Sequence, residues 1–172
     1  MDYSKYIRVI EGFPTKEISF KDISPLLANP DAFRSAIKEM ASYVKEWGAD
    51  AIIGPESRGF IFGCPVALEA NVSFIMARKQ GKLPGSTIAK EFTLEYGKAV
   101  IELPEFLIKP GMKVVLIDDL MATGGTLKAM KELIEENGSK VVGIISLIEL
   151  TDLKGRELFK DTPVVTFMKV PH

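Results

Sequence analysis

The chain has 172 residues, 22 Lys and Arg against 23 Asp and Glu, a net charge of -1, and 47% hydrophobic and 26% charged residues. At roughly 100 to 200 residues per domain this predicts one compact domain, excludes a disordered or fibrous chain, and argues against nucleic acid held through bulk charge. No apolar run reaches the roughly 18 residues of a membrane span, and a lone cysteine, Cys64, behind a start without a signal-peptide pattern leads to the expectation of a cytoplasmic protein.

Asn29-Pro30-Asp31 reads as a helix start, after which Phe33, Ile37, Met40, Ala41, Val44 and Trp47 recur at helical spacing until Gly48. Ala51-Ile52-Ile53 predicts a short strand closed by Gly54-Pro55. A second apolar helix over about 60–70 and a strand over 72–76 complete a βαβ unit. Cys64, between Gly63 and Pro65 at the start of that helix, is expected as a small packed residue, and the methionines as core filler. Residues 78–90 carry Arg78, Lys79, Gly81, Lys82, Pro84, Gly85 and Lys90, a polar stretch long enough for a functional loop. Residues 92–96 and 99–103, joined at Gly97-Lys98, predict a hairpin.

After the turn at Pro110-Gly111, the unbroken run Val114-Val115-Leu116-Ile117 is of the kind buried on both faces of a parallel sheet. Leu127, Met130, Leu133 and Ile134 give the next helix its core stripe up to Asn137-Gly138, and residues 141–150 and 164–168 predict the last strands. Strands alternating with helices predict an α/β fold, an open and mainly parallel sheet with right-handed crossovers.

His172 is the only histidine and the last residue of the sequence. A catalytic base drawn from it is discounted because chain ends fray, and a zinc site of Cys and His cannot be assembled. Chemistry must come from carboxylates, Lys and Arg, backbone amides and, where a metal takes part, a hard one. The informative segment is Val115-Leu116-Ile117-Asp118-Asp119-Leu120-Met121-Ala122-Thr123-Gly124-Gly125-Thr126, a buried strand, an acid pair and a small loop opening a helix. Such a helix start presents free N–H groups and about half a positive charge, and Gly124-Gly125 lets a phosphate approach the backbone. Thr123 and Thr126 add hydroxyl donors. Neither a Walker loop nor a Gly-x-Gly-x-x-Gly dinucleotide fingerprint is present. Asp118 and Asp119, at the carboxyl end of a strand, would repel that anion unless they serve a ribose diol or a hydrated Mg²⁺, so strand end and loop together match a ribose 5-phosphate.

This segment resembles the phosphoribosyl pyrophosphate motif of the type I phosphoribosyltransferases. Further segments, in matching order and spacing, make the likeness closest to the adenine-using members: Phe20-Lys21-Asp22-Ile23-Ser24-Pro25, Glu56-Ser57-Arg58-Gly59-Phe60, Arg78-Lys79-Gln80-Gly81-Lys82-Leu83-Pro84-Gly85 and Leu94-Glu95-Tyr96-Gly97-Lys98. The resemblance, covering about residues 13–155, implies a type I fold with a small N-terminal hood over about 1–30 and a lid loop over about 78–90. It implies the conversion of adenine and phosphoribosyl pyrophosphate to AMP and pyrophosphate, with Mg²⁺ held by Asp118 and Asp119 through water. It also implies a homodimer, in which a loop base can serve the neighbouring site, and no nucleic-acid or membrane partner.

The same resemblance gives Ala122, Thr123, Gly124, Gly125 and Thr126 to the 5-phosphate, and Ser57, Arg58, Arg78 and Lys82 to the pyrophosphate, with a strained peptide between Glu56 and Ser57 whose isomer, cis or trans, the sequence leaves open. Glu95 falls near the imidazole side of adenine, where it could assist proton transfer. Phe20 and Leu150 sandwich the purine, beside Ser19 and Lys21. Lys21 stands where the family usually has Arg, and Ser19 where an apolar residue is common, which bears on base affinity more than on reaction type. Other readings are a 6-oxopurine or xanthine phosphoribosyltransferase, for which Lys154 is the cation to examine near O6, and a non-catalytic regulator that keeps only the phosphoribosyl pyrophosphate site. Such regulators usually carry an added DNA-binding domain, for which the chain has no room.

Overall fold

The computed structural model describes residues 1–94 and 97–172. Strands β1 (Arg8–Glu11) and β2 (Ser19–Asp22) pair antiparallel into a separate two-stranded sheet, followed by the single turn α1 (Ser24–Leu27) and the long helix α2 (Pro30–Glu46). Helix α2 starts where its sequence dictates: the Asn29 side chain accepts the Ala32 N–H at 3.0 Å, and Pro30 occupies the first turn, where no donor is needed. Then come β3 (Ala51–Pro55), α3 (Arg58–Ala70), β4 (Ser73–Lys79), β5 (Thr87–Leu94), β6 (Gly97–Pro104), β7 (Lys113–Met121), α4 (Gly125–Glu136), β8 (Lys140–Leu150) and β9 (Val164–Val170).

Among the described residues the main sheet has seven strands in the order β5-β6-β4-β3-β7-β8-β9. The run from β4 to β9 is parallel, and the β5–β6 hairpin adds an antiparallel edge. Strand β7 alternates between two cores. Val115 and Ile117 pack with Ile52, Phe62 and Val66 and with the inner face of α2, while Val114 and Leu116 pack with Ile53 and with Leu127, Met130 and Ile134 of α4. Covered on both faces, its sequence is continuously apolar up to the acid pair.

Several expectations need correction. The loop expected over 78–90 is shorter: Arg78 and Lys79 end β4 opposite Glu102 and Ile101, and residues 87–90 open β5, leaving 80–86 as the connection. Strand β5 is an edge strand with Ala89, Glu91, Thr93 and Leu94 exposed, so its pattern carries little strand signal. The hairpin strands pair Leu94 with Gly97, so Gly97-Lys98 belongs to β6 rather than to the turn. Cys64 is exposed in the middle of α3, on the face that also exposes Leu68, four residues on. Met40, Met121 and Met130 are buried, whereas Met76 is 45% exposed. The hairpin of β1 and β2 carries no sequence signal, since its strands are four residues each; β1 is mostly exposed, and β2 is half-buried with only Asp22 buried.

One polar cluster ties the far edge together. Glu149, 5% exposed, accepts from Arg156 at Oε1 (Nε, 3.0 Å) and Oε2 (Nη2, 2.5 Å) and from Thr166 Oγ1 (2.8 Å), while Arg156 Nη1 donates to the Val164 carbonyl at 2.6 Å. These bonds hold the Glu149 carboxyl below its usual value of 4.5. A depressed folded-state value means that the stabilisation is complete above the unfolded value and disappears as pH falls through the folded one. Glu149→Gln should therefore lose about 1–3 kcal/mol at pH 7 in urea unfolding, and the gap to the parent should close as the medium is acidified below the ordinary glutamate range.

Candidate active site

The order of the sheet makes a switch point. From β3 the chain crosses through α3 to β4 on one side, whereas β7 crosses through α4 to β8 on the other, so a crevice opens beyond the carboxyl ends of β3 and β7. Three cavities meet there. They share Leu120, Asp118, Arg58 and Ala122 among their walls.

The first, about 100 Å³, is walled by Asp118 and Leu120 to Leu127 at the start of α4, with Leu94 opposite. Gly124 has φ +82° and caps the helix without a side-chain bond, and no acidic residue occupies the first turn, so the leading N–H groups face the cavity uncompensated. A side chain at Gly124 would also strike the Gly155 carbonyl at 3.0 Å, and one at Gly155 would collide with the Ala122 carbonyl. The loop thus rests on the turn that leads into Arg156. A Cβ at Gly125, by contrast, would meet only Thr123 Oγ1 at 3.8 Å. The structure brings Ala122, Thr123, Gly124, Gly125 and Thr126 together around this one cavity, whose size and donors suit a phosphate.

The second cavity, about 330 Å³, is lined by Glu56, Ser57, Arg58, Lys79, Asp118, Asp119 and Leu120. The Glu56–Ser57 peptide is cis. Arg58, the first residue of α3, sets Nε 3.1 Å from Asp119 Oδ2, and Asp118 Oδ1 accepts the Asp119 N–H at 2.8 Å. Burial and the adjacent charge of Asp119 push the Asp118 carboxyl well above the usual carboxylate range; burial raises Asp119 also, against the pull of Arg58. Two neighbouring acids with one guanidinium between them leave this end of the crevice short of positive charge.

Arg78 and Lys82 do not line that cavity. Arg78 Nε pairs with Glu56 Oε1 at 3.3 Å and Nη1 donates to the Lys82 carbonyl at 3.3 Å, while the Lys82 side chain is exposed. Glu56 also accepts the Lys79 N–H at 2.8 Å, and these contacts hold it below its usual range as a carboxylate. Lys79 lines the cavity instead, although nothing in the sequence separated it from Arg78. Strand alternation could have done so, since consecutive residues point to opposite faces.

The third cavity, about 190 Å³, is bounded by Ile18, Ser19, Phe20 and Lys21 of the β1–β2 hairpin, by Arg58, Leu120 and Ala122, and by Leu150, Leu153 and His172. Phe20 packs edge-on to Phe13 with ring centroids 5.4 Å apart and lies 5.8 Å from Arg58 Cζ. Phe20, Leu150, Ser19 and Lys21 are thus gathered as expected, in a slot with apolar walls. Lys154 is not among its walls. Glu95 lies outside the described residues; its neighbour Leu94 lines the phosphate-sized cavity.

The phosphoribosyl transferase domain model matches residues 22–171. An adenine phosphoribosyltransferase of Lactobacillus acidophilus is 51% identical over 169 residues, covering 98% of this chain and 97% of that protein. The crystal structure of the adenine phosphoribosyltransferase of Thermoanaerobacter pseudethanolicus superposes with a TM-score of 0.92 at 41% identity, over 97% of each chain. That of the Saccharomyces cerevisiae enzyme, complexed with adenine and an imino-altritol bisphosphate, superposes at 0.90 with 34% identity over 95% of each chain. Matched over nearly its whole length to these enzymes, the chain belongs to the adenine phosphoribosyltransferase family.

Proposed function

We propose that this chain transfers a phosphoribosyl group from phosphoribosyl pyrophosphate to adenine, giving AMP and pyrophosphate. The observation that carries this reading is the convergence of the three cavities on Leu120, with Asp118, Arg58 and Ala122 each shared by two of them, because a nucleotide is a phosphate, a ribose and a base joined in that order. The loop from Ala122 to Thr126 holds the 5-phosphate, the acid pair faces the ribose, and the apolar slot between Phe20 and Leu150 takes the base. Arg58, Ser57 and Lys79 line the pyrophosphate side, with Arg78 held beside it by Glu56. In the reaction the bond from the ribose anomeric carbon to the pyrophosphate oxygen breaks, the bond to the purine nitrogen forms, and the purine N–H proton departs. Glu95 is the residue assigned to that proton. Positive charge grows on the ribose next to the carboxylates and negative charge on the leaving group next to Arg58 and Lys79, so preorganised electrostatics lowers the barrier.

The donor set of the crevice fits Mg²⁺. Among the described residues no cluster of three or more His, Cys, Asp or Glu forms a protein cage, but two adjacent acids whose charge is disfavoured by burial would be relieved by a hard cation that keeps several waters. Asp118 and Asp119 would hold it through water, where it would neutralise pyrophosphate oxygens. A homodimer and a cytoplasmic location complete the reading. Leu68, 85% exposed on α3, and Phe106, 75% exposed, supply apolar surface for a second copy, and no helix of the described residues is long and apolar enough to cross a membrane.

Pyrophosphate release with adenine, hypoxanthine, guanine and xanthine in parallel tests the reaction. Adenine presents an amino donor and a ring acceptor where the 6-oxopurines present the reverse, and a site that pairs with one edge rejects the other by up to about 10⁴-fold. Use of hypoxanthine or guanine within about tenfold of adenine in kcat/KM would sink the adenine assignment. Gly125→Val tests the phosphate loop: the backbone accepts the side chain, which then fills the cavity, so AMP affinity by calorimetry should fall at least about tenfold with unchanged circular dichroism. Arg58→Ala should weaken phosphoribosyl pyrophosphate far more than AMP, and equal losses would contradict the separation of the two anion sites.

A further inference from the structure

The only histidine of the chain stands at the mouth of the apolar slot, with Ser19, Phe20, Lys21 and Leu150. Its position follows from the sheet. Strands β8 and β9 are parallel with Leu150 opposite Val170, so residues beyond 170 continue past the same carboxyl edge from which Leu150 walls the slot. The chain there is pinned and not frayed: the His172 N–H donates to Asp152 Oδ1 at 2.7 Å, and Thr151 Oγ1 donates to the Val170 carbonyl at 3.4 Å.

The other polar side chains of the slot have partners. Lys21 Nζ donates to Ser19 Oγ at 2.6 Å, Ser19 Oγ donates to Glu11 Oε1 at 3.0 Å, and Arg58 is held by Asp119. Among the described residues the His172 imidazole makes no hydrogen bond. A neutral imidazole offers one donor and one acceptor. The remaining walls, Ile18, Phe20, Leu120, Ala122, Leu150 and Leu153, hold a flat ring without distinguishing its edges.

We propose that His172 is a base-recognition residue, its imidazole making a polar contact with the edge of the purine at the mouth of the slot. This rests on the reading that the slot takes the base of the nucleotide. It makes the end of the sequence, after the last strand, part of the substrate site.

Because the chain has a single histidine, protein labelled with histidine carrying ¹³C only at Cε1 shows one imidazole signal. That signal should shift on saturation with AMP, and should stay in place on saturation with ribose 5-phosphate, which fills the phosphate loop without presenting a base. In steady state, His172→Ala should raise the KM for adenine about three- to tenfold, the worth of one hydrogen bond, while the KM for phosphoribosyl pyrophosphate stays within about twofold. His172→Gln, which keeps a donor and an acceptor, should restore most of the difference. A parent protein that converts adenine yet shows the same imidazole signal with AMP as with ribose 5-phosphate, or an Ala variant with unaltered adenine KM, overturns the proposal. A parent protein that does not convert adenine overturns the functional reading first, and the proposal with it.

Discussion

Two acids on consecutive residues, Asp118 and Asp119, lie near the carboxyl end of a strand that is covered on both faces, and the cost of burying their charge constrains the crevice. Placing both in a low-dielectric site disfavours their charged forms, and each carboxyl is accordingly raised. One guanidinium, Arg58, answers Asp119 at 3.1 Å. That contact requires the first turn of α3 to lie against the end of β7, which in turn requires β3 and β7 to be neighbours. The close approach is made by glycines: a Cβ at Gly54 would come within 2.8 Å of the Gly59 carbonyl and 3.2 Å of the Ile117 carbonyl. The remaining negative charge is what a substrate with a developing positive ribose and a bound cation would relieve.

The phosphate loop depends on a second, more distant set of contacts. Gly124 sits against Gly155, and the residue after Gly155, Arg156, is clamped by Glu149, Thr166 and the Val164 carbonyl. The buried ion pair at the sheet edge therefore holds the surface on which the loop lies, so that the uncapped amides of α4 are directed without ligand. A loop of small residues has little side-chain packing of its own; its shape must be supplied by neighbours. On the opposite side, Glu56 holds Arg78 and the Lys79 amide together, which fixes where β4 ends and which lysine faces the crevice.

Local patterns in the chain carried much of this. The apolar run before Asp118, the Gly-rich helix start after it, and the amphipathic period of α2 each reflect a rule that operates within about a dozen residues, and these elements stand where the patterns put them. The elements that departed from expectation were those whose burial is one-sided or slight. The pattern of strand β5 is partly that of a loop, the four-residue strands β1 and β2 are too short to show a period, and the residue type of Cys64 favours burial although its face of α3 looks outward.

By itself, then, the sequence determined the alternation of strands and helices, the acid pair near a strand end, and the glycine-rich turn that opens α4, because periodicity, turn chemistry and helix polarity are local. The tertiary structure decided which distant residues meet. Strand order brought Arg58 to Asp119 and the β1–β2 hairpin over Leu150; the pleat and the strand end put Lys79 rather than Arg78 in the crevice; the register of β9 against β8 carried His172 to the mouth of the base slot. Of these only the pleat is readable from spacing along the chain; the others join segments whose separation in space is set by how the sheet is ordered and in what register its strands pair.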